Sequence, residues 1–369
     1  MKTNIGQSLT NDNVGIGIVP IDGLDKLQVQ GGASFTSDIK VNDITVGKGG
    51  GNIATNTAIG YQSLSSNTTG NSNSANGYRS LYRNTTGNGN SANGFQSLYL
   101  NTTGINNVAI GFQSLFYNTI GNSNIANGYQ SLTSNTTGSN NVASGYRSLY
   151  FNTTGNYNIA SGSQSLFSNT TGYANIAIGY SALYSNETGF NNVANGYNSL
   201  TSNTTGTANT ANGHSALYSN TIGADNVSNG YQSLYSNTTG SNNVAIGRES
   251  GRSIANKTTQ ATILNDSVML GYRTSPLADD QTNQIVIGHD AIGAGSNTAT
   301  LGNDSIVKTV LKGVVNSNKT YTVGTLPTGS LGDSTIVTDA TSPSYLGALT
   351  GGGAVVCPVW YNGTIWVSR

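Results

Sequence analysis

Few side chains in this sequence could carry out a reaction, and their spacing decides which reactions to weigh. Glu187 and Asp225 are the only acids between residues 60 and 246. Glycoside hydrolysis usually needs two carboxyl groups within about 10 Å of each other. These two fall at different places in the repeat described below and about two repeats apart, so one chain is not expected to pair them. Contact between subunits is the one arrangement left that could. Asp279 and Asp280 are adjacent and could offer oxygen ligands to Ca²⁺, with a plain solvated loop as the alternative. His214 and His289 fall where the repeat otherwise places an aromatic ring, so they read as substitutions in a column rather than as ligands. Gly15-Ile16-Gly17 and Gly47-Lys48-Gly49-Gly50-Gly51 imitate phosphate loops, but neither opens a helix. Cys357 stands alone in an apolar stretch and reads as a small core residue. Many Asn-Thr-Thr triplets match the glycosylation acceptor pattern, which matters only after export. No catalytic residue, cofactor or metal is expected.

What positions these residues is a repeat. Twelve glycines, from Gly60 to Gly247, recur every 17 residues and frame eleven copies of roughly G-Y-x-S-L-Y-x-N-T-T-G-x-x-N-V-A-x. Self-similarity without insertion marks a solenoid, in which each repeat is one coil packed on its neighbours. With each framing glycine counted as position 0, position 4 is leucine in every copy, from Leu64, Leu81 and Leu98 to Leu234. Stacking brings these leucines into one buried column, each contributing about 1.5–3 kcal/mol. Position 15 is alanine in ten copies and Ser228 in the other, which calls for a small residue where chain segments meet. Positions 7 and 13 are always asparagine, as at Asn67 and Asn84 or Asn73 and Asn90. Identical amides on stacked chains can hydrogen-bond as ladders. Position 14 is mostly β-branched, which suits a short strand. Recurrent glycine and threonine argue against helix. Each coil is expected to hold two short strands and two turns.

Aromatic residues fill position 1 in nine copies and position 5 in eight. Position 5 follows the buried leucine and should face outward by strand alternation. Such a stripe could stack on sugars, but a long exposed apolar column more often marks an interface. Eleven coils make a shaft on the order of 50 Å long. The core of one coil is thin, a deficit that oligomerisation usually remedies, and a homotrimer with cyclic symmetry is expected.

Composition sets the remaining bounds. Charged residues make up 8% of the chain and the formal net charge is zero, so the clustered cations of a nucleic-acid site are missing. Disorder would need a high net charge as well as low hydrophobicity. No run of 18 apolar residues exists, so no membrane insertion is expected. The opening Met1-Lys2-Thr3-Asn4-Ile5-Gly6 lacks the apolar stretch of a secretory signal, and assembly in the cytoplasm is expected.

Residues 1–59 hold nine of the thirty charges and read as an attachment or capping segment, with short strands at Asn13–Ile18, Lys26–Gly31 and Ile39–Val46. Residues 60–246 form the shaft. Residues 247–312 break the period for 24 residues and then read as irregular final coils, as at Asn283–Gly288 and Ala299–Asn303. Residues 313–369 read as a small C-terminal β-domain, with strands at Thr320–Val323, Ser334–Asp339, Ala354–Tyr361 and Thr364–Val367 and a turn or hinge at Gly351-Gly352-Gly353. The fold class expected is all-β: a β-solenoid or β-roll shaft of 17-residue coils with that domain at its end.

The stretch Thr45-Val46-Gly47-Lys48-Gly49-Gly50-Gly51-Asn52-Ile53-Ala54 through Gly60-Tyr61-Gln62-Ser63-Leu64, with the Asn-Thr-Thr-Gly repeats behind it, resembles tail-fibre and virion structural proteins of bacteriophages. Asn13-Val14-Gly15-Ile16-Gly17 and Asn362-Gly363-Thr364-Ile365-Trp366 look like the flanks of such fibres. Val244-Ala245-Ile246-Gly247 and Ile285-Val286-Ile287-Gly288 are similar to the coils of trimeric autotransporter adhesin heads, which are β-rolls wound as trimers. Those adhesins need a signal and a membrane anchor, whereas a phage fibre assembles in the host cytoplasm, so the phage resemblance is favoured. It implies a homotrimer in the virion tail that joins other tail proteins through its N-terminal segment. It also implies binding, without turnover, to a host surface glycan or protein. Tyr345, Trp360, Tyr361 and Trp366 are the candidate receptor contacts, with packing of a small β-domain as their alternative. A baseplate or neck appendage, a polysaccharide-cleaving tailspike and an ice-binding threonine array are the other readings.

Overall fold

The computed structural model of the chain describes residues 37–41, 43–309, 323, 326, 334–340, 348, 351, 355–362 and 364–368. The strands expected at Asn13–Ile18 and Lys26–Gly31, most of Thr320–Val323, and Tyr345 lie outside the described residues. Contacts divide the chain into two units, Met1–Ser305 and Ile306–Arg369.

The described part of the first unit begins with a hairpin rather than the single strand expected over Ile39–Val46. Ile39–Val41 pairs antiparallel with Ile44–Gly47, and the chain reverses at Asp43, whose φ is 65°. Ile44–Gly47 then pairs antiparallel with Thr57–Tyr61, the first strand of the stack. The Asp38 carboxylate accepts the backbone N–H groups of Lys48 (2.7 Å) and Gly49 (3.0 Å). A short 3-10 turn at Gly50–Asn52 covers the first coil, where Gly50 N–H donates to Leu64 O at 2.9 Å.

From Thr57 onward the strands pair in parallel and in register. Ala58 faces Ala75, Ala75 faces Ala92, and the one-coil step holds as far as Ser228 facing Ala245. Beyond Gly247, Val268–Leu270, Ile285–Ile287 and Ala299–Leu301 extend the same sheet. The fold is an all-β solenoid.

Each of the eleven repeats ends in one strand of three residues at positions 14–16, not the two strands expected; only beyond Gly247 does a second pairing appear, Leu264–Asn265 with Gln281–Thr282. The Gly-Tyr-x-Ser-Leu-Tyr segment is a run of turns. The cause lies in burial. Ser63 and Leu64, like Ser80 and Leu81, both point inward. A strand sends consecutive side chains to opposite faces, so two adjacent inward residues require another backbone. The chain meets this by placing position 2 and the leucine itself in the left-handed region, as at Gln62 (φ 53°) and Leu64 (φ 47°). Such residues are uncommon outside glycine, asparagine and aspartate. The burial of leucine, about 1.5–3 kcal/mol, is of the same order as the roughly 1–2 kcal/mol that each left-handed residue costs, and offsets much of it.

The interior is a set of columns: leucine, serine or alanine, alanine, and two asparagine ladders. In the first ladder, Asn84 Nδ2 donates to Asn67 Oδ1 at 2.9 Å, Asn101 to Asn84 at 2.8 Å, and the series runs to Asn220 on Asn203 at 2.9 Å. Each of these amides also reaches the carbonyl of the glycine three residues ahead, as Asn84 does at Gly87 (3.0 Å). In the second ladder, Asn73 Oδ1 accepts from both Asn90 N–H (3.0 Å) and Asn90 Nδ2 (3.2 Å). Buried amides need such partners, because each unmet group costs about 1–3 kcal/mol. Each ladder starts on a partner outside the repeat, where Gly50 O accepts Asn67 Nδ2 and Asn56 Oδ1 accepts Asn73 N–H, whereas near the other end Asn220 Oδ1 is buried without a partner.

The 24-residue interval is accommodated without breaking the stack. Its surplus leaves the wall between Arg252 and Ala261, and Thr238 N–H rejoins the next coil at Thr262 O (2.8 Å). Gly251 takes the place of the column leucine, and Leu264, fully buried, fills that space instead. A Cβ on Gly251 would lie 2.9 Å from Leu234 Cδ2 and 3.6 Å from Leu264 Cδ2.

In the second unit Ser334–Ala340, Val355–Tyr361 and Trp366–Ser368 form a three-stranded antiparallel sheet. Val337, Ala340, Cys357 and Val359 make its core, with Val323, Leu326 and Trp366 packed against it.

Two substitutions test the stack. A Cβ at Gly128 would sit 2.4 Å from Gly145 O, with φ at 145°. Gly128→Ala is therefore expected to cost more than about 2 kcal/mol and to expose neighbouring coils to protease; wild-type resistance would contradict the packing. Asn135→Ala removes the donor to Asn118 Oδ1 and the acceptor of Asn152 Nδ2. It is expected to cost about 2–4 kcal/mol, read as faster amide hydrogen exchange in the coils on either side.

Candidate binding face

Positions 1, 2 and 5 share one outer face of the first unit. At position 1, Tyr61, Tyr78, Phe95, Phe112, Tyr129 and Tyr146 stack with ring centroids 4.9–5.5 Å apart and planes within 13° of parallel. A second run holds Tyr180, Tyr197, His214 and Tyr231. At position 5 the runs are Tyr82–Tyr99–Phe116, Tyr150–Phe167–Tyr184 and Tyr218–Tyr235. In-register stacking dictates this arrangement: a ring repeated at one place in every coil must meet its own copy one strand spacing away, about 4.8 Å.

Position 2 lies between the two columns. Gln113 Nε2 donates to Gln96 Oε1 at 3.0 Å, and Gln130 to Gln113 at 3.2 Å. Arg79 and Arg147 continue this line on Gln62 and Gln130. The Arg79 guanidinium carbon lies 5.2 Å from the Tyr78 ring and 5.5 Å from Tyr82, so it spans both columns, and Arg147 does the same with Tyr146 and Tyr150. Such contacts contribute about 0.5–1 kcal/mol where exposed. The glutamine line was visible as the variable letter after the aromatic, but it gains meaning only once the two columns are known to flank it.

Within a run, each ring face is covered by its neighbours and the edges point outward. The stripe as a whole is therefore not a row of open platforms for sugars.

Near the end of the stack the surface changes from neutral to charged. Glu249 meets Arg248 (3.2 Å), Arg252 (3.5 Å) and Arg273 (3.9 Å), and Arg273 also lies 3.8 Å from Asp290. Lys257, at the tip of the surplus loop, donates to Arg273 O and to Ser275 Oγ (3.0 Å). Burial pushes the Lys257 ammonium below its ordinary range; Asp290 opposes that shift and Arg273 adds to it. Exposed ion pairs of this kind contribute little stability one by one.

Glu187 and Asp225 are both exposed, at positions 8 and 12, with no side-chain bond between them. Asp279 is not poised for a cation. Its carboxylate accepts from Thr262 N–H (2.8 Å), Thr262 Oγ1 and Ile263 N–H (2.8 Å), closing the loop back onto the stack. Among the described residues no three His, Cys, Asp or Glu side chains could hold a metal ion, and no helix is long and apolar enough to cross a membrane. His214 stacks between Tyr197 (5.0 Å) and Tyr231 (5.2 Å), and His289 stacks on Tyr272 (5.1 Å).

In the second unit Trp366 packs against the core and meets Tyr361 edge-on at 5.6 Å. Tyr361 Oη donates to Thr364 O at 2.9 Å, holding the turn at Asn362. Trp360 is half-buried on the strand face opposite Val359. These three lie together at one end of the sheet.

Comparison with protein-family models, curated proteins and solved structures found no match for this chain.

The Asp279 contacts set a pH dependence. Burial opposes ionisation, but the bonds from Thr262, Ile263 and Asp280 outweigh it and hold the carboxyl below its ordinary value. A depressed acid contributes stability above its unfolded pKa, about 3.9, and loses it as pH falls through the lower folded value. Asp279→Asn is expected to raise exchange of the Thr262 and Ile263 amides at neutral pH and to flatten their response below pH 4. Equal profiles in both proteins would show that the carboxylate does not hold the loop.

Proposed function

We propose that this chain is a fibre subunit of a phage virion, a homotrimeric structural protein of the tail that attaches the particle to a host cell surface. The observation that carries the reading is the unbroken parallel stack of coils from Thr57–Tyr61 to Ala299–Leu301, eleven of them on one 17-residue pattern. Such a stack is an extended, stiff spacer, suited to holding a contact away from its point of attachment. The charge-poor wall and the separated acids Glu187 and Asp225 favour binding over hydrolysis.

Association as a trimer is supported by the strand face. Ile59, Ile110, Ile178 and Ile246, all at position 16, stay 42–44% exposed in the single chain. Three copies around a common axis would cover this line. In this reading residues 1–59 join the chain to other tail proteins, and the end of the second unit, with Trp360, Tyr361 and Trp366, meets a host glycan or protein, where three copies add avidity.

Light scattering is expected to return three times the 38.0 kDa chain mass. Ile110→Lys with Ile178→Lys is expected to shift the protein toward monomer. A wild-type monomer would remove the trimer. Antibody against the chain should decorate the tail in electron micrographs of the particle, and undecorated tails would end the fibre reading.

A further inference from the structure

The position 1 column is broken twice, and the two breaks differ. Between Tyr231 and Tyr272 the coil carries Arg248, whose guanidinium carbon lies 5.4 Å from the first ring and 5.8 Å from the second. A planar group of the chain thus occupies the place of the missing ring. Between Tyr146 and Tyr180 the coil carries Ser163, and no ring is stacked on the faces turned toward it; Arg147 lies 5.2 Å from the Tyr146 centroid. Those rings are two strand steps apart, about 9.6 Å. Both remain near 45% exposed. The Ser163 hydroxyl, the neighbouring Gln164 side-chain amide and both tyrosine hydroxyls make no hydrogen bond within the protein.

The breaks at position 5 differ: their threonines are bonded to the chain, and the rings beside them are half-buried. Thr133 turns its hydroxyl onto Gln113 O (3.1 Å), with Tyr117 edge-on to Phe116 and Arg147 against Tyr150. Thr201 turns its hydroxyl onto Ser181 O (3.2 Å).

We propose that the Ser163 break is a binding slot for one pyranose ring of a glycan, gripped between Tyr146 and Tyr180. The rim selects the class. A planar aromatic ring would fill the gap as Tyr and Phe do in the other coils, at 4.9–5.5 Å from each neighbour, but would leave the polar rim unmet. A saturated chair presents C–H groups on both faces to the two rings. Its equatorial hydroxyls then reach the rim, where Ser163, Gln164 and the tyrosine hydroxyls offer donors and acceptors. The slot rests on the fibre reading only for the origin of the glycan, a host surface.

The test uses the full chain and methyl glycosides of glucose, galactose, mannose and N-acetylglucosamine, followed by saturation-transfer NMR and titration. At least one is expected to bind with a dissociation constant on the order of 1 mM. Ser163→Tyr completes the column with the residue that most other coils carry there, so its melting curve should match wild type while binding falls at least tenfold. Thr201→Tyr, in the other column, should bind as wild type does. The slot is overturned if no glycoside receives saturation, if Ser163→Tyr binds unchanged, or if p-cresol binds there more tightly than every glycoside. Particle labelling is read separately, so glycoside binding with undecorated tails would keep the slot and remove the fibre.

Discussion

A buried amide in a rod one coil thick meets its full set of partners only if the coils before and after supply some of them. From Asn67 to Asn203 each carbonyl oxygen of the first ladder is met by the next amide at 2.8–2.9 Å. A shift of one residue in one coil would set a different side chain opposite the amide and leave a donor and an acceptor unmet in the interior. Leucine and alanine columns would tolerate an approximate register; the amides and the closely approaching glycines do not. The uniform 17-residue step follows from that demand.

The same constraint explains where variation is allowed. Positions 3, 4, 7, 10, 13 and 15 are fixed by the interior, whereas positions 1, 2, 5 and 16 face outward and change from coil to coil. Outward side chains still meet their own copies, so identity at these sites yields runs of stacked rings or bonded glutamines, and every substitution appears as a break. Serine, threonine, histidine and arginine each interrupt the columns with a different outcome. A wall built by repetition thus acquires local features one coil at a time.

Much of the fold was legible in the sequence because repetition makes burial visible. A leucine or an asparagine that never changes in eleven copies must face something that never changes, and Leu64, Asn67 and Asn73 are indeed interior. The second strand of each coil was misread for a physical reason. Nothing in the type of Leu64 announces a left-handed backbone, which leucine avoids; only the joint burial of Ser63 and Leu64 forces it. The hairpin turn at Asp43 was hidden in a run of β-formers. The exchange of Gly251 for Leu264 is a tertiary repair with no local sign. Of the candidate contacts, Trp366 takes part in core packing, which composition alone could not separate from exposure.

The ladders also have a direction. In both, an Nδ2–H donates to the Oδ1 of the preceding coil, as Asn84 does to Asn67 and Asn90 to Asn73. Many backbone bonds between coils run the other way, with an N–H donating to a carbonyl of the following coil, as Leu64 does to Ser80, Thr68 to Thr85 and Ser74 to Asn90. Side-chain and backbone dipoles therefore offset one another, and the axial dipole does not simply accumulate as it does along an α-helix. A neutral solenoid of this kind can be lengthened coil by coil without charging its ends.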